Sequence, residues 1–184
     1  IEQDQRFTDL LAFMKSEFEK NGVPGGSVAV ITDGKITHAA GVGSKTYKRN
    51  DPVDENTMFN GASMGKMLVA GAVMTLVEEG RINLSAPVTD YVPYFQLESP
   101  HDPSSINVHQ VLTHTAGIPD YDEANCDTDV DALSRWFREN TDFPLWSPPG
   151  LVWNYSNLGY NLLGLIAEEV SGLPFVESMK SRVF

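Results

Sequence analysis

Apolar residues in the opening segment recur at helical spacing. Phe7, Leu10, Leu11, Met14 and Phe18 share one face, and Gly22 stands where a C-terminal helix cap is expected. Two strand-like runs follow, Ser27–Thr32 and Lys35–Ala40, joined by Asp33-Gly34, the strongest short hairpin signal. Gly41, Gly43 and the polar residues up to Asp54 read as a loop. From Met67 to Val77 the chain is apolar on almost every side. That predicts a helix buried at the centre of its domain, with Gly71 between Ala70 and Ala72 permitting close packing. Ser85-Ala86-Pro87 reads as a cap and first turn. Asn107–His114 predicts a short helix stopped by Gly117 and Pro119, and Leu133, Trp136 and Phe137 mark another. Pro144, Pro148, Pro149 and Gly150 make a rigid connection. Leu158, Leu162, Leu165, Ile166 and Val170 predict a long amphipathic helix ending at Ser171-Gly172, and Phe175, Val176, Met179 and Val183 begin one more.

This order describes an α+β chain. Residues 1–60 supply a helix and hairpin of an α/β half, and residues 61–184 form a mostly helical half. Two isolated strands are marginal in water, and no later stretch offers convincing strands. The sheet is therefore expected to be incomplete, and the pattern predicts a complementary C-terminal chain or segment that completes it.

At 184 residues the chain is long enough for a sizeable core, and its 41% hydrophobic and 21% charged residues are those of a globular protein. Thirteen basic against 25 acidic side chains give a net charge of −12. With no Lys/Arg cluster, this argues against nucleic acid and anionic membranes as partners. No apolar run reaches the roughly 18 residues of a membrane span. The single cysteine, Cys126, can form neither an internal disulfide nor a Cys-rich metal site and reads as a bystander thiol. The chain opens on Ile1 rather than Met. That leaves the compartment open, with a periplasmic or secreted location favoured over a cytoplasmic one.

The candidate chemistry begins at Ser63 and Lys66, three residues apart at the start of the apolar helix, where positions i and i+3 share a face. A serine hydroxyl needs an adjacent base. A lysine becomes one when burial and the positive end of a helix disfavour its charge. The Ser63 backbone N–H, at the helix start, can act as an oxyanion donor. The same stretch also matches Gly-x-Ser-x-Gly, Gly61 to Gly65, the nucleophile elbow of α/β-hydrolases. That alternative needs a buried strand beforehand, and Asn56–Asn60 makes a poor one. Trp153-Asn154-Tyr155-Ser156-Asn157 precedes the long helix. Tyr155 near a cationic lysine has its phenolate favoured and can act as general base or acid. Asn157 offers both a donor and an acceptor.

Together, Ser63-Met64-Gly65-Lys66 and Tyr155-Ser156-Asn157 resemble the Ser-x-x-Lys and Tyr-x-Asn motifs of the serine β-lactamase and penicillin-binding-protein group: class C β-lactamases, D-Ala-D-Ala carboxypeptidases and family VIII esterases. Val111-Leu112-Thr113-His114-Thr115-Ala116-Gly117 is similar to the group's Leu-Leu-Thr-His-Thr-Ser-Gly segment. Pro148-Pro149-Gly150 and Gly159–Gly164 agree as well. The resemblance implies a β-lactamase/DD-peptidase-like fold, an antiparallel sheet flanked by helices plus an all-helical region. It implies Ser63 as the acylated nucleophile, Lys66 and Tyr155 sharing the proton transfers in an order the residues leave open, and Asn157 orienting Lys66 and the substrate. His114 is implied to be structural, fixing a turn. No metal or cofactor is implied. The group's third motif, Lys/His-Thr/Ser-Gly, which would supply a second oxyanion N–H and a contact to substrate carboxylate, is absent from this sequence. The resemblance thus implies a serine hydrolase acting on an ester, amide or β-lactam carbonyl, with an esterase or β-lactamase-related activity favoured. A D-amino-acid peptidase is the alternative, and a non-catalytic penicillin-binding-like scaffold is the competing class.

Overall fold

The computed structural model describes residues 4–47, 49–98, 100–120, 129–141 and 143–184; Cys126 lies outside them. The chain divides into two compact units, Ile1–Asn60 and Gly61–Phe184.

In the first unit, helix α1 (Gln5–Asn21) starts where the Asp4 carboxylate accepts the Arg6 backbone N–H, and it ends at Gly22, whose φ of 68° is left-handed. Strands β1 (Gly25–Thr32) and β2 (Lys35–Gly43) pair antiparallel. Asp33 and Gly34 both have positive φ, 51° and 73°, as a tight two-residue hairpin turn requires. Opposing Val28 with Ala40 and Val30 with His38 puts these four side chains on one half-buried face. Helix α1 packs against β2. Phe7 lies 4.7 Å from the His38 ring, and Phe18 presses on Gly26. No α1 residue is fully buried, because a two-stranded ribbon is too narrow to cover a helix face. β2 runs on through Gly41 and Gly43, which the sequence placed in a loop. A side chain at Gly41 would come within 2.2 Å of the Val53 carbonyl oxygen, so glycine lets the following segment close over the strand.

In the second unit, α2 (Gly65–Glu78) and α5 (Asn157–Ser171) pack against each other, and α5 also meets α3 (Val108–Leu112), α4 (Ala132–Glu139) and α6 (Phe175–Arg182). The core joins Val73 and Leu76 of α2 to Leu158, Leu162, Leu163, Leu165 and Ile166 of α5, with Phe95, Phe137 and Ile106 filling the space around them. Helix α3 is held by a reciprocal capping box between Asn107 and Gln110. Two expectations change here. Helix α2 buries Ala72, Val73 and Leu76 but leaves Met67 61% and Met74 42% exposed, because α5 and α6 occupy only part of its circumference; Gly71 meets no close neighbour. Ser85 starts no helix. Instead, Pro87 precedes a single 3-10 turn, Val88–Asp90, after bridging to Asn107.

Candidate active site

Ser63 lies in a 3-10 turn, Ala62–Met64, that leads directly into α2. Ala62 enters this turn with φ 44°, a left-handed conformation that costs a non-glycine residue roughly 1–2 kcal/mol. No strand precedes the turn at residues 56–60. The Gly-x-Ser-x-Gly match is therefore not a strand-to-helix elbow. Lys66 is one residue into α2, so its side chain projects over the same turn.

Tyr155 and Asn157 flank the start of α5. Ser156 caps the helix: its hydroxyl accepts the Gly159 N–H at 2.9 Å and donates to the Pro119 carbonyl at 3.0 Å, and the residue is 3% exposed. The backbone on either side is tied to residues 114–120. Asn154 N–H donates to the His114 carbonyl at 2.7 Å, the Asn154 amide to Ile118 at 3.1 Å, and Asn157 N–H to the Asp120 carboxylate at 2.8 Å. The same loop is also held at Gly117 by the segment before Pro148: its φ is 76°, and a Cβ there would lie 2.2 Å from the Ser147 carbonyl oxygen.

These elements bring Ser63, Lys66, Tyr155 and Asn157 into one hydrogen-bonded group. Tyr155 Oη donates to Ser63 Oγ at 2.7 Å, Lys66 Nζ donates to Ser63 Oγ at 3.4 Å, and Lys66 Nζ also donates to Asn157 Oδ1. The ammonium stands 4.7 Å from the Tyr155 ring centroid and 5.8 Å from that of Tyr160. Hydrogen bonding to Lys66 first, and to Ser63 second, holds the Tyr155 phenol below its ordinary range. Tyr160, by contrast, is pushed up by burial and stays neutral while donating to the Leu112 carbonyl at 3.1 Å. A phenol with a stabilised phenolate, 2.7 Å from a serine hydroxyl, is equipped to take that hydroxyl's proton. Lys66 supplies the charge that makes this feasible.

Three further neighbours complete this group: the His114 ring lies against Tyr155, Asp120 anchors Asn157, and Tyr160 closes the far side of Lys66. His114 and Tyr160 stood in segments that carried the resemblance, but with no place in the site beyond a turn-fixing role for His114. Asp120 gave no signal, because its part depends on how residues 114–120 fold against the start of α5. Among the described residues, no cluster of His, Cys, Asp or Glu could hold a metal ion, and no helix is long and apolar enough to cross a membrane.

A serine at the head of an apolar helix is thus bonded by a lysine one turn on and a tyrosine from a distant loop. The beta-lactamase family model matches residues 4–184, and the chain belongs to that family. It is 34% identical over 166 residues to a beta-lactamase of Yersinia enterocolitica, covering 90% of this chain and 41% of that protein. The octameric penicillin-binding protein homologue of Pyrococcus abyssi superposes with a TM-score of 0.77 at 29% identity, over 96% of this chain and 42% of that one. EstCE1, a hydrolase with promiscuous acyltransferase activity, shares the fold with a TM-score of 0.82 at 22% identity, over 98% of this chain and 51% of its own. The first curated relatives are matched over only 32% of their length, so the chain corresponds to a part of them.

Proposed function

We propose that this chain carries the nucleophilic wall of a serine hydrolase that works through an acyl-enzyme. The observation that carries this reading is the position of Ser63 Oγ within hydrogen-bond reach of both Tyr155 Oη and Lys66 Nζ. Tyr155 is the nearer group, and its phenolate is the stabilised form, which supports Tyr155 as the proton acceptor with Lys66 as its charge partner. Ser63 Oγ attacks an acyl carbonyl as its proton passes to Tyr155. The resulting oxyanion takes a hydrogen bond from the Ser63 N–H. Collapse expels the leaving group, which recovers the proton, and water then releases the acyl group from Ser63. Asn157 holds the Lys66 ammonium by its Oδ1, which leaves its amide N–H groups as donors for a substrate.

An ester or β-lactam carbonyl is the favoured substrate class, supported by the 34% identical beta-lactamase. A complementary C-terminal segment or chain completes the machinery by adding strands beside β1 and β2 and a second oxyanion N–H. The reading is supported by the two-stranded sheet among the described residues and by coverage of 32–51% of the relatives' lengths. An absent oxyanion donor typically costs about 10²–10³ in rate. The test is covalent labelling of the native protein with a fluorescent penicillin and a fluorophosphonate, followed by hydrolysis of p-nitrophenyl esters, a chromogenic cephalosporin and D-alanyl peptides. Labelling lost in Ser63→Ala supports the reading. No label with either probe, and turnover unchanged by Ser63→Ala, would favour a non-catalytic scaffold.

A further inference from the structure

His114 makes more contacts around Tyr155 than fixing a turn requires. Its ring centroid lies 4.8 Å from that of Tyr155 at 31° and 4.9 Å from that of Tyr160 at 36°, with the Trp153 centroid 6.0 Å away in an edge-on arrangement. Its Nδ1 accepts the Ser156 backbone N–H at 3.1 Å, at the residue between Tyr155 and Asn157. Its own carbonyl receives the Asn154 N–H at 2.7 Å. Its φ of 59° puts a non-glycine residue in the left-handed region, where only a residue with short-range polar bonding is comfortable.

We propose that His114 is a positioning residue for Tyr155 and Asn157: as the neutral imidazole it holds the Ser156 N–H on Nδ1 and seats the Tyr155 ring, and when protonated it releases that turn. This rests on the proposed roles of Tyr155 and Asn157. The chemistry is direct. Neutral imidazole offers one acceptor nitrogen, whereas imidazolium has none. On protonation, Nδ1–H would therefore face the Ser156 N–H, and a second cation would stand near Lys66. The groups that face the ring are Lys66 of α2, Asp120 of its own loop, and the phenols of Tyr155 and of Tyr160 on α5. Burial first, and the Lys66 charge second, push the imidazole below its ordinary 6.5, while Asp120 pulls the other way. At neutral pH the holding form prevails, and the release falls on the acid side.

The test follows the Ser156 amide and the Tyr155 ring by nuclear magnetic resonance from pH 8 to 5 in the wild type, His114→Asn and His114→Ala. Asparagine keeps an acceptor oxygen and tolerates the left-handed backbone, whereas alanine keeps neither. In the wild type, the Ser156 amide and Tyr155 ring shifts should move with the His114 ring in one titration below pH 6.5. That titration should vanish in His114→Asn, with the Ser156 amide still protected from hydrogen exchange. In His114→Ala, exchange at Ser156 should quicken by about tenfold, the scale of one lost hydrogen bond, and fluorophosphonate labelling of Ser63 should slow by a similar factor, with recovery in His114→Asn. A wild-type Ser156 amide that ignores the His114 titration overturns the proposal, as does the same titration persisting in His114→Asn. The wild-type titration decides the matter even where His114→Ala does not fold. If Ser63 takes no label while Ser156 follows His114 as described, the hydrolase reading fails and the coupling of His114 to the turn stands.

Discussion

Replacing Lys66 by Met keeps a long apolar stem and removes the ammonium. The fold loses little by this. The ammonium is half-buried and bonds Asn157 Oδ1 and, at 3.4 Å, Ser63 Oγ, with the Tyr155 ring centroid 4.7 Å away. A charged hydrogen bond contributes about 1.5–3 kcal/mol when its partner is stranded, but water reaches Asn157 here and takes the cation's place. The cation–π contact adds about 0.5–1 kcal/mol at an exposed site. The net cost in stability should be roughly 1 kcal/mol. The chemistry loses more. A positioned acid–base group is worth about 10²–10⁴ in rate, which is about 3–5 kcal/mol of barrier. Urea unfolding followed by circular dichroism gives the first quantity, and the rate of Ser63 modification gives the second. The Tyr155 phenol should also titrate higher in Lys66→Met, because Lys66 is the largest cause of its depression. A modification rate within tenfold of wild type, or a loss of stability as large as the loss of rate, would refute the part given to Lys66 as the charge partner that equips Tyr155 to take the proton.

Two further outcomes follow from the same geometry. With Tyr155 as acceptor, Ser63 acylation should rise with pH through a phenol pKa below the ordinary 10.0, and Tyr155→Phe should be about 10²–10⁴ slower with that rise gone. The phenol is an acid depressed in the fold, so its titration adds stability only above the unfolded value near 10 and loses it as pH falls through the folded value. At pH 7 Tyr155→Phe should therefore cost little in a urea melt. Ser156→Ala strands the Gly159 N–H and the Pro119 carbonyl in a buried setting and should destabilise the second unit by about 1–3 kcal/mol; a change below about 0.5 kcal/mol would contradict the cap's assigned part.

Much of this was legible along the chain where chemistry and periodicity coincide. Asp33-Gly34 marked the hairpin turn because two positive φ angles need those residue types. Gly22 and Gly172 marked helix ends through their left-handed backbone. The resemblance on Ser63, Lys66, Tyr155 and Asn157 picked out four residues, paired across 92 and 91 positions of the chain, that the fold places in one hydrogen-bonded group. What escaped depends on partners. The extension of β2 through Gly43 follows from a backbone-to-backbone approach at Gly41, which no side-chain pattern records. The exposed flank of α2 at Met67 and Met74 follows from where α5 and α6 pack, since an apolar helix does not announce which of its sides a neighbour will cover. Asp120 enters the site only because its carboxylate meets the Asn157 N–H across the loop, a contact that neither its spacing nor its residue type foretells.

Ser63 is the point on which these arguments meet, and intact mass spectrometry of the native protein treated with a fluorophosphonate or a penicillin addresses it most directly. The account predicts a single covalent adduct that maps to Ser63, forms more slowly in Lys66→Met and Tyr155→Phe, and is absent in Ser63→Ala. An adduct that persists in Ser63→Ala, or native protein that remains unmodified by either reagent, would contradict it.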